Sequence, residues 1–169
     1  MEQKNKTCDI CSFLPTVPSD YIILETTNWV VNLGFIDQTF LGRCYIAIKD
    51  HVSEIDLISE EVEQEFITVR NRLMKAIRNS FSPITFNVSC LKNDAFKDDP
   101  DNTSPEASHV HWHIIPRYGT NPVIINGEAF TDPIPGRYIN LDYERKIYSK
   151  DTLDEIVRLI KQNMDITSK

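Results

Sequence analysis

The sequence points to an α+β fold: a mainly antiparallel sheet with one long helix and a C-terminal helix. Short runs rich in β-branched and aromatic residues recur between polar breaks, as strands of a sheet do. Residues 59–81 carry apolar side chains at helical spacing, and a second, shorter amphipathic stretch lies at residues 151–164.

The elements follow in order along the chain. An N-terminal arm, residues 1–20, is polar apart from a few side chains and carries Cys8 and Cys11. "YIILET" at 21–26 and "WVVNLG" at 29–34 are separated by a short polar break and read as paired strands. "RCYIAIK" at 43–49 has the same character, follows Gly42, and leaves His51 at a strand end or in a loop. In residues 59–81, Val62, Phe66, Val69, Leu73, Met74 and Ile77 fall on one helical face, with Ser59 as N-cap and acids in the first turn. "PITFNVSCL" reads as another strand, followed by the polar, proline-containing loop "KNDAFKDDPDNTSPEAS" and then by a histidine-rich strand. "TLDE" at 152–155 has the form of a capping box and opens the last helix through Ile156, Leu159 and Ile160.

Composition bounds the function. With 169 residues, 41% of them hydrophobic, the chain is expected to close one core, giving a single domain over 1–169 whose central part spans 21–145. Basic and acidic residues number 18 and 25, so the net charge of 18 − 25 = −7 argues against nucleic acid as a partner. No apolar window approaches the roughly 20 residues that a spanning helix needs, and the first residues lack the apolar stretch of a signal peptide. Four cysteines in a chain this well supplied with apolar residues read as reduced thiols or a metal site, and a cytoplasmic location is the expectation. Cys44 and Cys90 fall within strand patterns and are read as buried packing residues. Trp29, Phe35, Phe40, Tyr45 and Trp112 are read mostly as core, with one or two available to stack on a base.

"SHVHWHIIPRYG", residues 108–119, holds three of the chain's 4 histidines at alternate positions: His109, His111 and His113. On a helix His111 would point away from the other two. A strand lines all three along one face, roughly 7 Å apart by twice the strand rise, with Val110, Trp112 and Ile114 packed on the other. Pro116 is expected to end the ladder and Arg117 to stand at its edge. Imidazoles so arranged can hold a metal or handle a phosphate. Neutral imidazole near pH 7 can attack phosphorus and form a phosphoramidate that water later cleaves, while its neighbours donate to oxygen. The plainer alternative, polar residues on the solvent side of a strand, suits one histidine better than three.

At this point "HVHWHIIPRY" resembles the His-x-His-x-His signature of the histidine triad (HIT) superfamily of nucleotide hydrolases and transferases. "DQTFLGRCYIAIKDHVSEIDLIS" at 37–59 resembles that family's glycine, hydrophobic strand, lysine and histidine ahead of an acidic helix start. "CLKNDAF" and "GEAFTDPIPGRY" are similar to segments flanking the triad in a bacterial-type branch with an N-terminal Cys-x2-Cys. The resemblance implies a HIT-like fold, a two-fold homodimer, and action at the α-phosphate of a dinucleoside polyphosphate or nucleoside phosphoramidate. It makes His111 the nucleophile of a nucleotidyl-histidine intermediate, with His113 on the phosphate or leaving-group side and His109 orienting the site or binding metal. It assigns Asn93 to phosphate or ribose, and Asp37 and Gln38 to the nucleoside pocket.

"CDIC" alone is a weak metal signal, compatible with two free thiols in the arm. The resemblance adds His51 and His109 to Cys8 and Cys11 as a structural zinc set, whose closed shell has no position for a reactive water. The chain departs from the family pattern twice. "NTSPEAS" brings no glycine into the approach to the triad, and Ile115 stands where relatives carry a histidine-like residue or glutamine. Two other functions remain open at this stage: a nucleotide-binding module without catalysis, and a zinc-dependent hydrolase using all three triad histidines as ligands, for which Glu106 is the nearby carboxylate.

Overall fold

The computed structural model describes residues 8–92, 107–139 and 143–166. Strands β1 (Ile22–Glu25), β2 (Trp29–Leu33), β3 (Cys44–Ile48), β4 (Thr85–Ser89) and β5 (His111–Arg117) form one sheet in the order β1-β2-β3-β5-β4. Every neighbouring pair is antiparallel. Alternation along the strands sorts the two faces. Trp29, Val31 and Leu33 of β2, Cys44 and Ile46 of β3 and Ile114 of β5 join the main apolar cluster, while Tyr45 and Ala47 pair across with His113 and His111 on the opposite face.

Helix α2 (Glu60–Phe81) covers the apolar face. Its Phe66 lies 5.1 Å from the Trp29 ring and stacks on Trp112 at 4.8 Å, and the Trp29 indole donates to the Val62 carbonyl at 3.0 Å. Helix α3 (Lys150–Ile166) packs beside α2 and adds Ile156 and Ile160, both fully buried, to the same core. Gly42 reaches β3 with φ +75, and a Cβ there would meet the Phe81 ring at 3.2 Å, so close helix–sheet packing and backbone conformation both call for glycine.

Several local expectations are corrected. The regular strand begins at His111, so His109 precedes it and does not share its face as a third equal member. Pro116 does not end the ladder but pairs with Phe86 inside β5. On the β3 side pairing has already stopped at Ile114, so a residue without an N–H is tolerated there. Arg117 is buried, not at a free edge. Ser59 occupies the N-cap position of α2 without making a side-chain cap, leaving Glu60, Glu61 and Glu63 to complement the helix dipole. The capping box is also displaced: Thr152 lies inside α3, and it is the Ser149 hydroxyl that accepts from the Thr152 N–H at 3.3 Å. Cys44 is fully buried as expected, whereas Cys90 is half-buried.

Two elements come in addition. The arm folds into a short helix α1 (Asp9–Phe13), and β6 (Val123–Ile125) and β7 (Glu128–Phe130) form a separate hairpin. Asn126 and Gly127 both take positive φ, 49 and 80, the geometry of a tight two-residue turn that glycine and asparagine favour. No described helix is long and apolar enough to cross a membrane.

Candidate active site and metal centre

The site is built where β5 enters the sheet between β3 and β4. Just before the strand, the backbone of Val110 donates to the Val52 carbonyl at 2.8 Å and accepts from Ile48 at 3.2 Å. This irregular pairing turns the His109 ring away from its neighbours. Its Nδ1 lies 3.5 Å from Cys8 Sγ and 3.3 Å from Cys11 Sγ, and its Nε2 sits 2.8 Å from the Ile48 carbonyl. Both ring nitrogens are thereby engaged. What His109 offers to the rest of the triad is its carbonyl oxygen, 2.9 Å from His111 Nδ1.

Cys8, Cys11, His51 and His109 present four ligand atoms within 4.8 Å of one another. His51 Nδ1 is 3.4 Å from Cys11 Sγ. Cys8 caps α1, its sulfur accepting from the Cys11 N–H at 3.4 Å, so the helix itself fixes both thiols on one side. Zn–S bonds of about 2.3 Å and Zn–N bonds of about 2.1 Å at tetrahedral angles give S···N edges of about 3.6 Å. The three S···N separations of 3.3–3.5 Å agree within a few tenths of an ångström, and all four ligand atoms lie within 4.8 Å of one another, so the donors are of the kind and spacing that a tetrahedral ion takes. His109 also has the supporting contact expected of a metal-binding imidazole, Nε2–H to a backbone carbonyl. His51 lacks one: its Nε2 is buried with no partner among the described residues. Burial first, then the neighbouring His51 and His111, lowers the His109 pKa to about 4, which keeps the ring in the neutral, ligating form.

On the sheet face opposite the helices, His111 and His113 stand with ring centroids 5.1 Å apart. Tyr45, across the strand pair, meets the His113 ring edge-on at 5.0 Å. Arg43, in the loop before β3, brings Nη2 to 3.4 Å from His113 Nδ1. Burial, then His111, then the Arg43 guanidinium push the His113 pKa down to about 3.

The loop residues expected to line a nucleoside pocket are largely internal. Asp37 is buried, pairs with the Arg43 guanidinium and accepts from the Tyr143 hydroxyl at 2.9 Å. Gln38 is fully buried; its amide donates to the carbonyls of Gly34 at 3.0 Å and Arg43 at 2.9 Å and accepts from the Gly42 N–H at 2.9 Å. Gln38 closes its own loop and keeps no N–H for a ligand, which corrects its assignment to substrate. Asn93 and Glu106 lie outside the described residues. Phe40 and Trp29 are core, while Phe35 is half-buried, stacked on Tyr21 at 4.9 Å and more loosely on Phe13 at 6.4 Å.

Arg117 is spent internally. It forks onto Asp132 at 2.7 and 3.3 Å and donates to Asn87 and to the carbonyls of Arg137 and Ile134. Arg43 and Tyr143 were not singled out from sequence as site residues, since nothing in the spacing of two residues 100 positions apart announces a contact.

An antiparallel sheet whose fifth strand opens on a His-x-His-x-His run, with the second and third histidines on the face opposite the helices, has the form of a histidine-triad protein. The HIT domain description matches residues 36–120, and the chain belongs to that family. Among characterised relatives, the "Protein hit" of Bacillus subtilis (strain 168) is 30% identical over 89 residues, which are 52% of this chain and 57% of that protein, so the chain matches little more than half of its length. A zinc-bound histidine triad family protein from Mycobacterium smegmatis superposes with a TM-score of 0.59 at 18% identity, covering 96% of both chains. The diadenosine triphosphate hydrolase of Plasmodium falciparum superposes with a TM-score of 0.58 at 14% identity, covering 90% of this chain and 82% of that one.

Proposed function

We propose that the chain is a nucleotide hydrolase or nucleotidyl transferase acting at an α-phosphate through a covalent nucleotidyl-His111 intermediate. The observation that carries this reading is the 2.9 Å contact between His111 Nδ1 and the His109 carbonyl. A carbonyl only accepts, so Nδ1 holds the hydrogen and the in-plane lone pair lies on Nε2. In the first step Nε2 bonds to phosphorus while the bond from phosphorus to the leaving group breaks and its electron pair departs with that group. The ring keeps its Nδ1–H, becomes cationic, and is met by the His109 carbonyl dipole. Water then attacks phosphorus, the N–P pair returns to Nε2 and the water proton passes to solvent; in a transferase an acceptor oxygen takes the place of water. The activity named for the Plasmodium falciparum relative supports the substrate class, a dinucleoside polyphosphate.

In the same reading Cys8, Cys11, His51 and His109 hold a structural zinc ion, which supplies a fixed cross-link between arm and sheet and no chemistry at phosphorus. The zinc-bound relative supports it. The hydrolase using all three triad histidines as ligands is disfavoured, because among the described residues the potential metal cluster takes only His109 from the triad. Asn93 stays in the proposal as a phosphate or ribose contact, and a homodimer stays with it, supported by the resemblance and by the outer position of β4 in the sheet.

The test is nucleotide release from diadenosine tetraphosphate and adenosine 5′-phosphoramidate, followed by chromatography for the wild type and His111→Ala. Loss of the nucleophile should lower kcat about ten-thousand-fold or more with the fold intact. Equal turnover by both proteins removes His111 from its role, and tight AMP binding without turnover by either favours the binding module.

A further inference from the structure

The geometry points to Arg43 as a positioning residue that locks His113 in the Nε2–H tautomer, so that the two neighbouring imidazoles of β5 carry opposite tautomers and divide acceptor from donor. A guanidinium has five N–H donors and no acceptor. Its Nη2 stands 3.4 Å from His113 Nδ1, and this contact is made only if Nδ1 presents its lone pair. The single hydrogen of the neutral ring must then sit on Nε2. His111, whose Nδ1 faces a carbonyl, is the reverse.

Arg43 is itself held in place. Asp37 and the Tyr143 hydroxyl both take Nη1, Tyr143 donates onward to the same Asp37 oxygen at 2.9 Å, and the guanidinium carbon lies 5.3 Å from the Tyr45 ring centroid. The Arg43 side chain is only 7% exposed, so it acts through His113 and not on a ligand in solvent. Asp37, carried by the same loop, therefore serves the site at one remove, as the anchor of Arg43. The cation also disfavours a second positive charge on His113, in line with a ring that donates a hydrogen bond and does not serve as a base. In turnover, and here the inference rests on the nucleotidyl-transfer reading, His113 Nε2–H would meet a phosphoryl or leaving-group oxygen while His111 Nε2 attacks.

The experiment is a long-range proton–nitrogen correlation spectrum of the full chain labelled with 15N-histidine, with the His113 ring assigned by its absence in His113→Gln. The wild type should show His113 protonated on Nε2 alone. Arg43→Met should release the ring into exchange between its tautomers. Because that variant leaves Asp37 buried without its cation, Arg43→Met/Asp37→Asn, which removes both charges, is measured beside it, with circular dichroism reporting the fold. Where the wild type turns over nucleotide, both variants should lose about a hundred-fold in kcat with KM little changed. A wild-type His113 protonated on Nδ1, or a tautomer that stays locked in the folded variants, overturns the inference. A wild type without turnover on any nucleotide refutes the enzyme reading alone, since the tautomer readout does not depend on it.

Discussion

At the scale of single residues, the site works by assigning each imidazole a different set of neighbours. His109 is turned to two thiols, His111 to a carbonyl and His113 to a guanidinium. The His113 environment has a measurable consequence for stability. Its ring faces His111, Arg43 and Tyr45, and its pKa falls from the ordinary 6.5 to about 3. The unfolded chain therefore binds a proton at this residue that the folded chain refuses, so the contribution of His113 to stability is full above pH 6.5 and is lost as pH falls toward about 3. In urea titrations the stability difference between wild type and His113→Gln should shrink over that window, and a difference independent of pH would contradict a half-buried neutral ring. Which residues carry such contacts was only partly legible. His109, His111 and His113 announce themselves by residue type and spacing, Cys8 and Cys11 give a weaker signal, and His51 joins them only through the family resemblance. Arg43 and Tyr143 do not, because an arginine before a strand and a tyrosine in a late loop are unremarkable until the fold brings them together.

At the scale of elements, strands and the long helix were readable because their apolar periods are regular, and the misses fall where a local signal competes with packing. Thr152 resembles a cap, but Glu128 of β7 accepts from both Thr152 and Ser149 at 2.7 Å, and that tie draws the helix start back to Lys150. The Asn126-Gly127 pair of the β6–β7 hairpin is a turn signal, but the two three-residue strands it joins have almost no period to support it. The segment after this hairpin is held by Asp132, buried at 5% exposure, which takes the Arg117 fork and the N–H groups of Tyr118 and Ile134 at 3.1 and 2.9 Å. Asp132→Ala leaves the Arg117 cation buried without its counter-charge and should cost about 3–5 kcal/mol. Chemical denaturation measures it, and a loss below about 1 kcal/mol would mean the pair behaves like a surface ion pair.

At the scale of the molecule, packing and chemistry are separated by the sheet. Helices α2 and α3 bury one face, and the other carries His111, His113 and Tyr45. The arm is the exception to this layering, because Cys8 and Cys11 lie beside His109 and Cys11 beside His51, next to the ends of β3 and β5. Removing metal with a strong chelator should lower Tm by at least about 5–10 °C. It should also raise amide exchange across α1 while leaving α2 protected, with native mass spectrometry counting one zinc per chain beforehand. A chain that carries no metal and keeps α1 protected would end the zinc reading. The length of chain between the ligands also matters during synthesis. Cys11 and His109 are 98 residues apart, so at about 5–20 residues per second the ribosome makes the thiols roughly 5–20 s before the imidazole proposed to complete their shell. In the zinc reading, the Cys-x2-Cys pair has only solvent and the chain already made as partners for that interval, so chains synthesised under oxidant or without zinc should yield a smaller fraction with α1 protected.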